Sequence, residues 1–230
     1  MVYSCIKNTL SLLYPDHCQL CDAPATEGLC TPCREDLPYN RHPCPQCGLP
    51  LSQPLEVLCG SCQQQPPAVD RSWIPFLYAA PVDRLISQFK FSERLPQGRL
   101  LSRLLAEYLT QRIDRPDLLI PVPLHPDRLR QRGYNQALEL ARPLGRRFGI
   151  PLDHRSCQRT LKTRPQHALK RRQRESNIRG AFRVVRPLTV RHVALVDDVV
   201  TTGNTVNELA RQLKQAGVAR VDVWALARTP

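Results

Sequence analysis

The 230-residue chain contains no run of 18 or more apolar residues, so nothing in it reads as a membrane-spanning helix. Its first fifteen residues, MVYSCIKNTLSLLYP, lack both a basic leading segment and a long apolar run. They are expected to form a short amphipathic helix docked on the protein rather than a secretion signal. There is no GxxxxGK, which excludes a Walker-type nucleotide loop, and no GxGxxG after a strand, which excludes a dinucleotide fingerprint. Aromatic residues make up only 6% of the chain, which argues against a platform for stacking bases. Hydrophobic residues at 42% still suffice for a core, so wholesale disorder is excluded. The length allows one large domain, or a medium domain with a small module.

Cysteine is plentiful and unevenly placed. Eight of ten cysteines form four CxxC pairs, Cys18/Cys21, Cys30/Cys33, Cys44/Cys47 and Cys59/Cys62. A disulfide framework would imply export, for which no leader is seen. A two-residue gap lets both thiolates of a pair face one tetrahedral ion, and two pairs complete a four-sulfur structural zinc site. The intervening segment is rich in Pro and polar residues, so metal binding is expected to supply its folding energy. Gaps of 8, 10 and 11 residues between pairs suit two consecutive ribbons, with an interleaved cross-brace as the alternative. His17 and His42 are surplus to two such sites and read as surface loop residues; Cys5 and Cys157 read as single thiols.

The net charge of +13 is equally localised. Residues 120–190 hold 17 Lys+Arg against 4 Asp+Glu, and the remainder balances to zero. Such a block attracts polyanions, either nucleic acid or a small ligand with several phosphates.

Beyond Cys62 the string QQQPPAVD reads as a linker. Apolar spacing then predicts strands over 73–79, 117–123, 191–198 and 218–228. It predicts helices over 81–91, 98–113, 135–149 and 203–217, with Pro143 either bending the third or marking a start. Alternating strands and helices call for a mostly parallel sheet covered on both faces. The most informative stretch is HVALVDDVVTTGNT, residues 192–205. A strand runs into Asp197 and Asp198, then a loop of Thr201, Thr202, Gly203, Asn204 and Thr205 opens a helix. A helix start presents unpaired N–H groups and a positive dipole end, and Gly203 lets backbone approach an anion. Two carboxylates about one sugar length away would accept hydrogen bonds from vicinal hydroxyls. Phosphate at one end and diol at the other describe a ribose 5-phosphate.

VALVDDVVTTGNT resembles the 5-phosphoribosyl 1-pyrophosphate (PRPP) motif of type I phosphoribosyltransferases. The whole chain is similar to the ComF/GntX family of bacterial competence and DNA-utilisation proteins. The likeness spans the cysteine module, KFSER (90–94), VPLHPDRLRQRGYNQ (122–136), RTLKTRPQHALKRRQRESNIRGAF (159–182) and the loop. It implies an α/β fold: a type I phosphoribosyltransferase-like parallel sheet flanked by helices over 72–230, preceded by a cysteine-rich double zinc ribbon over 16–66 and the N-terminal segment 1–15. It implies two structural Zn²⁺, and Mg²⁺ arriving with PRPP. Asp197 and Asp198 would orient the diol and soften positive charge at the anomeric carbon. Pro123, Leu124 and His125 would form the pyrophosphate loop, with Arg128 and Arg132 reaching phosphate oxygens. Asn135 would either contact ligand or cap the next helix. Arg159, Lys162, Arg164, Gln166, Lys170, Arg171, Arg172 and Asn177 fall where such enzymes carry a mobile flap, and equally suit a nucleic-acid patch. Three functions follow from the likeness: a cytoplasmic factor, free or peripheral at the inner membrane face, that handles single-stranded DNA alongside uptake proteins; a phosphoribosyltransferase acting on a base or amine; and a PRPP-sensing adaptor.

Overall fold

The computed structural model describes residues 17–53, 57–91, 95–161 and 178–230. The helix expected over 1–15 lies outside them. Two short helices, α1 (Thr31–Glu35) and α2 (Gly60–Gln64), sit in the cysteine-rich module. A five-stranded parallel sheet follows, in the order β1 (Arg71–Trp73), β7 (Arg220–Arg228), β6 (His192–Val200), β3 (Leu118–Pro121), with β2 (Phe76–Leu77) also on β7. Helices α3 (Val82–Phe91), α4 (Leu95–Leu109), α5 (Pro126–Arg132), α6 (Gln136–Phe148) and α7 (Asn204–Gln215) flank it, and β4 (Cys157–Arg159) pairs antiparallel with β5 (Phe182–Val184) beside it. No helix among the described residues is long and apolar enough to cross a membrane.

The central strands read as unbroken apolar runs because both faces of the sheet are covered. Alternate residues go to opposite sides. Ala194, Val196, Trp224 and Leu226 join the cluster under α3, α4 and α6, while Val193, Leu195, Val221, Val223 and Ala225 join the cluster under α7. Val82, Leu85, Ile86 and Phe89 are all buried, as their helical spacing requires. The strand expected over 73–79 is split at Ile74–Pro75, since Pro75 has no N–H for the ladder. Helix α6 runs unbroken through Pro143 from a start at Gln136.

The cysteine module is docked rather than tethered. Leu29 and Leu37 are part of the cluster containing Leu100 and Leu104. Arg34 pairs with Glu107 at 2.6 Å. Backbone bonds Asn40 N–H to Pro75 O (2.7 Å) and Leu77 N–H to Pro38 O (2.8 Å) cover the outer edge of β2, an edge that would otherwise invite pairing. The segment read as a linker is pinned too: the Ala68 N–H donates to Asn207 Oδ1 at 2.5 Å, and Asp70 takes Lys214 Nζ at 2.7 Å.

Candidate functional site

The eight paired cysteines form two sets, Cys18/Cys21/Cys30/Cys33 and Cys44/Cys47/Cys59/Cys62, with the sulfurs of each set within 4.8 Å of one another. The pairing is consecutive, and the cross-brace is not formed. A Zn–S bond of about 2.3 Å sets the edge of a tetrahedron at about 3.8 Å. Cys21 and Cys30 sulfurs stand 3.6 Å apart, as do those of Cys47 and Cys59, so the donor sets fit zinc. Burial opposes ionisation of Cys18 and Cys44, but backbone N–H groups aimed at their sulfurs outweigh it, bringing Cys18 down to about 6 and Cys44 to about 7. Burial holds Cys47 up at about 11 until a cation arrives. His17 is exposed and bonds to Asp22 O, outside the sulfur set.

The second cluster lies where β6 and β3 end side by side. Strand β6 runs past the two acids to Val200, two residues beyond the expected end. Asp197 keeps some contact with solvent yet is surrounded by protein on nearly all sides. Burial, reinforced by the neighbouring Asp198 charge, pushes its carboxyl up to about 8. Asp198 is held by Lys90 Nζ at 2.9 Å, with both side chains largely covered. Thr201 is exposed and residues 202–205 are half-buried, so the turn is open to solvent. Gly203 caps α7 at φ 81°, a left-handed conformation that L side chains resist. Gly203 has no side chain with which to cap α7, and Thr202 Oγ1 accepts only the first N–H, that of Asn204, at a long 3.4 Å. The contrast with α5 and α6 is informative, because His125 and Asn135 cap those helices by accepting the N–H groups of Asp127 and Ala137. The start of α7 is thus left available to an external acceptor.

Pro123, Leu124 and His125 connect β3 to α5, and Pro123 and Leu124 line a cavity of about 510 Å³ together with Tyr134, Leu138 and Arg159; the acids and the Thr201–Thr205 loop lie outside its lining. Arg128 is half-buried and has no hydrogen bond or ion pair among the described residues; burial, then the adjacent Arg132 charge, lowers its pKa. Arg132 donates to Gln136 Oε1 at 3.0 Å. Arg159 is buried over Phe182 and close enough to feel both Arg128 and Asp197. Arg159 thus stands between the Arg128 charge on one side and the Asp197 carboxyl on the other. Of the residues assigned to a flap, Lys162, Arg164, Gln166, Lys170, Arg171, Arg172 and Asn177 lie outside the described residues.

Lys90, within KFSER (90–94), is the cation that the structure brings to the two acids. Two adjacent acids at a buried strand end need a cation nearby, and that need was the available signal. Tyr134 supports it: its hydroxyl donates to Phe89 O, anchoring the last turn of α3 beside Lys90. Asn135 is a structural brace, bonding Val122 O at 3.1 Å through Nδ2 while capping α6. Asn135→Ala is therefore expected to cost about 1–2 kcal/mol in urea unfolding.

The chain matches the double zinc ribbon domain over residues 9–63. The DNA utilization protein YhgH of Escherichia coli (strain K12) is 41% identical over 226 residues, covering 95% of this chain and 99% of that protein. Competence protein F of Haemophilus influenzae is 38% identical, covering 89% and 92%. A purine phosphoribosyltransferase from Pyrococcus horikoshii Ot3 is similar over 65% of this chain and 74% of its own, at 22% identity and a TM-score of 0.33.

Proposed function

The chain belongs to the family of the YhgH DNA utilization proteins and competence protein F, and from that membership we propose that it serves DNA utilisation, holding PRPP at the end of β6 and single-stranded DNA along its basic segment. The observation that carries the sugar-phosphate half is the solvent-open start of α7, held by a single long Thr202 contact, one short loop away from Asp197 and Asp198. The helix start and the hydroxyls of Thr201, Thr202 and Thr205 receive the 5-phosphate, and the carboxylates accept the ribose hydroxyls. Arg128 and Arg132 face the pyrophosphate from the β3–α5 connection, and the half-buried Arg128 guanidinium gains most from acquiring an anion. Magnesium would enter with the ligand, on pyrophosphate and ribose oxygens, and offset their charge when bound. For DNA, the exposed Arg179, Arg183 and Arg186 continue the basic segment towards β5 and beyond. The workplace on this reading is the cytoplasm, with DNA-uptake proteins as neighbours.

Calorimetry of PRPP with Mg²⁺ tests the sugar half, with and without an oligonucleotide. Micromolar to submillimolar binding is expected, lost in Asp197→Asn/Asp198→Asn, and absence of heat at millimolar PRPP would refute it. For DNA, binding constants measured at rising salt should fall steeply, and a slope near zero would refute phosphate-led contact.

The raised Asp197 pKa adds a pH dependence. A carboxylic acid must ionise to accept hydrogen bonds from the diol at full strength. Binding therefore releases a proton wherever Asp197 is still protonated, between about 4 and about 8. PRPP affinity should rise with pH up to about 8 and level off above it, and Asp197→Asn should remove that component. For stability the sign reverses. The protonated form is favoured by the fold, so Asp197 contributes most at low pH and that contribution is lost as pH rises through about 8. Proton release during titration, read in buffers of different ionisation enthalpy, separates the two.

A further inference from the structure

Arg228, at the end of β7, is only 6% exposed, yet its guanidinium has no carboxylate partner among the described residues. It donates instead to main-chain carbonyls on two sides. Nε reaches Cys47 O at 3.1 Å, and Nη1 reaches Val200 O at 3.1 Å, Thr201 O, and Thr229 O at 2.7 Å. Cys47 belongs to the second sulfur set, and Thr201 opens the loop before α7. One side chain thus spans the 181 residues of chain between the metal knuckle and the strand end.

The charge arrangement suits the span. Four thiolates around a divalent ion leave a net charge of −2, and a buried cation beside that charge is stabilised where an unpaired one would be costly. The planar fork of arginine spreads five donors over three nitrogens and reaches carbonyls that lie apart, whereas the three donors of an ammonium radiate from a single atom. Loss of the second centre would free the Cys47 carbonyl and remove the negative charge that makes burial of Arg228 tolerable. The remaining bonds to Val200 and Thr201 would then have to hold the guanidinium alone.

We propose that Arg228 is a positioning residue coupling the second zinc centre to the Thr201–Thr205 loop, so that metal occupancy and ligand binding at that loop reinforce one another. The ligand half rests on the PRPP reading above; the mechanical half does not. Because coupling between two bound species is reciprocal, PRPP should tighten zinc binding by the same factor by which zinc strengthens PRPP binding.

Hydrogen exchange on the full-length zinc-loaded protein tests the mechanical half without ligand. In Arg228→Lys, amides of 199–206 should exchange about tenfold faster and the second zinc should pass to a chromogenic chelator about tenfold faster, with residues 118–121 unchanged. A folded variant with wild-type exchange and release overturns the proposal. The wild type gives a second measurement that needs no variant. During gradual chelation, loop protection should fall together with that of residues 44–62; if it survives their loss, the coupling does not exist. Millimolar PRPP with Mg²⁺ is then added to the wild type. Tighter binding of the second zinc, read at equilibrium as a higher chelator concentration for half removal, completes the proposal. PRPP that binds without shifting that midpoint overturns the reciprocal half. PRPP that fails to bind, while the loop still follows the zinc, sinks the PRPP reading and leaves Arg228 as a structural coupler.

Discussion

Stripping both zinc ions from the native protein is expected to lower the stability of the entire chain in one transition, not merely to unravel residues 17–64. Structural zinc in small ribbons is worth about 10–16 kcal/mol of apparent binding energy, while a domain of ordinary size has about 5–15 kcal/mol of net stability. The module has little else to hold it: its own buried cluster is the sulfurs of Cys44, Cys59 and Cys62 with Cys47, Leu49 and Leu51 packed around them. Yet it contributes Leu29 and Leu37 to the main core and covers β2 through Pro38 and Asn40. Its loss therefore exposes apolar surface and a sheet edge together. Two equivalents of zinc should be released per chain. Calorimetry should show a single melting event displaced downward by at least 10 °C, a shift that roughly 3 kcal/mol produces in a domain of this size. Cys44→Ser, which puts a hydroxyl at a fully buried ligand position, should reproduce about half the zinc loss. An unchanged melting temperature after complete chelation would contradict this account of the module.

Much of this architecture was legible because its physics is local. CxxC spacing reports ligand geometry directly, and the sulfur sets formed as consecutive ribbons. The apolar runs in β6 and β7 forced a sheet buried on both faces, and VDDVVTTGNT placed two acids and a helix start together. What the sequence hid was long-range. Nothing near Asp198 in the chain announces Lys90, which arrives from α3 more than a hundred residues earlier. Nothing near Cys47 announces Arg228. QQQPPAVD has the composition of a flexible joint, and its order comes from partners at Asn207, Lys214 and Val221 that composition cannot name. Strand β6 extends two residues past 198 because Val199 and Val200 stay in register with Ala227 and Arg228 of the buried partner strand, a pairing no local signal in the chain announces.

A diol-reading site should be able to tell ribose from deoxyribose, and this sets the sharpest test of the two carboxylates. When a buried acceptor is built for a hydroxyl, the analogue lacking it leaves the acceptor desolvated and unpaired, at a cost of about 1.5–3 kcal/mol for a charged group. Wild-type protein should therefore bind ribose 5-phosphate with pyrophosphate at least tenfold better than the 2-deoxy sugar phosphate with pyrophosphate. Asp198→Asn should weaken the ribose ligand about a hundredfold and leave the deoxy ligand nearly unchanged, so that discrimination collapses. Lys90→Met acts from the other side of the ion pair. It leaves Asp197 and Asp198 as adjacent like charges in a covered site, which raises the Asp197 pKa further and moves the pH profile upward, a change that simple loss of packing would not produce. The two substitutions share one interaction, so the double variant should lose less affinity than the product of the singles. Equal affinity of the wild type for the two sugars, at any pH between 6 and 9, would mean that the carboxylates serve the fold and not a ligand.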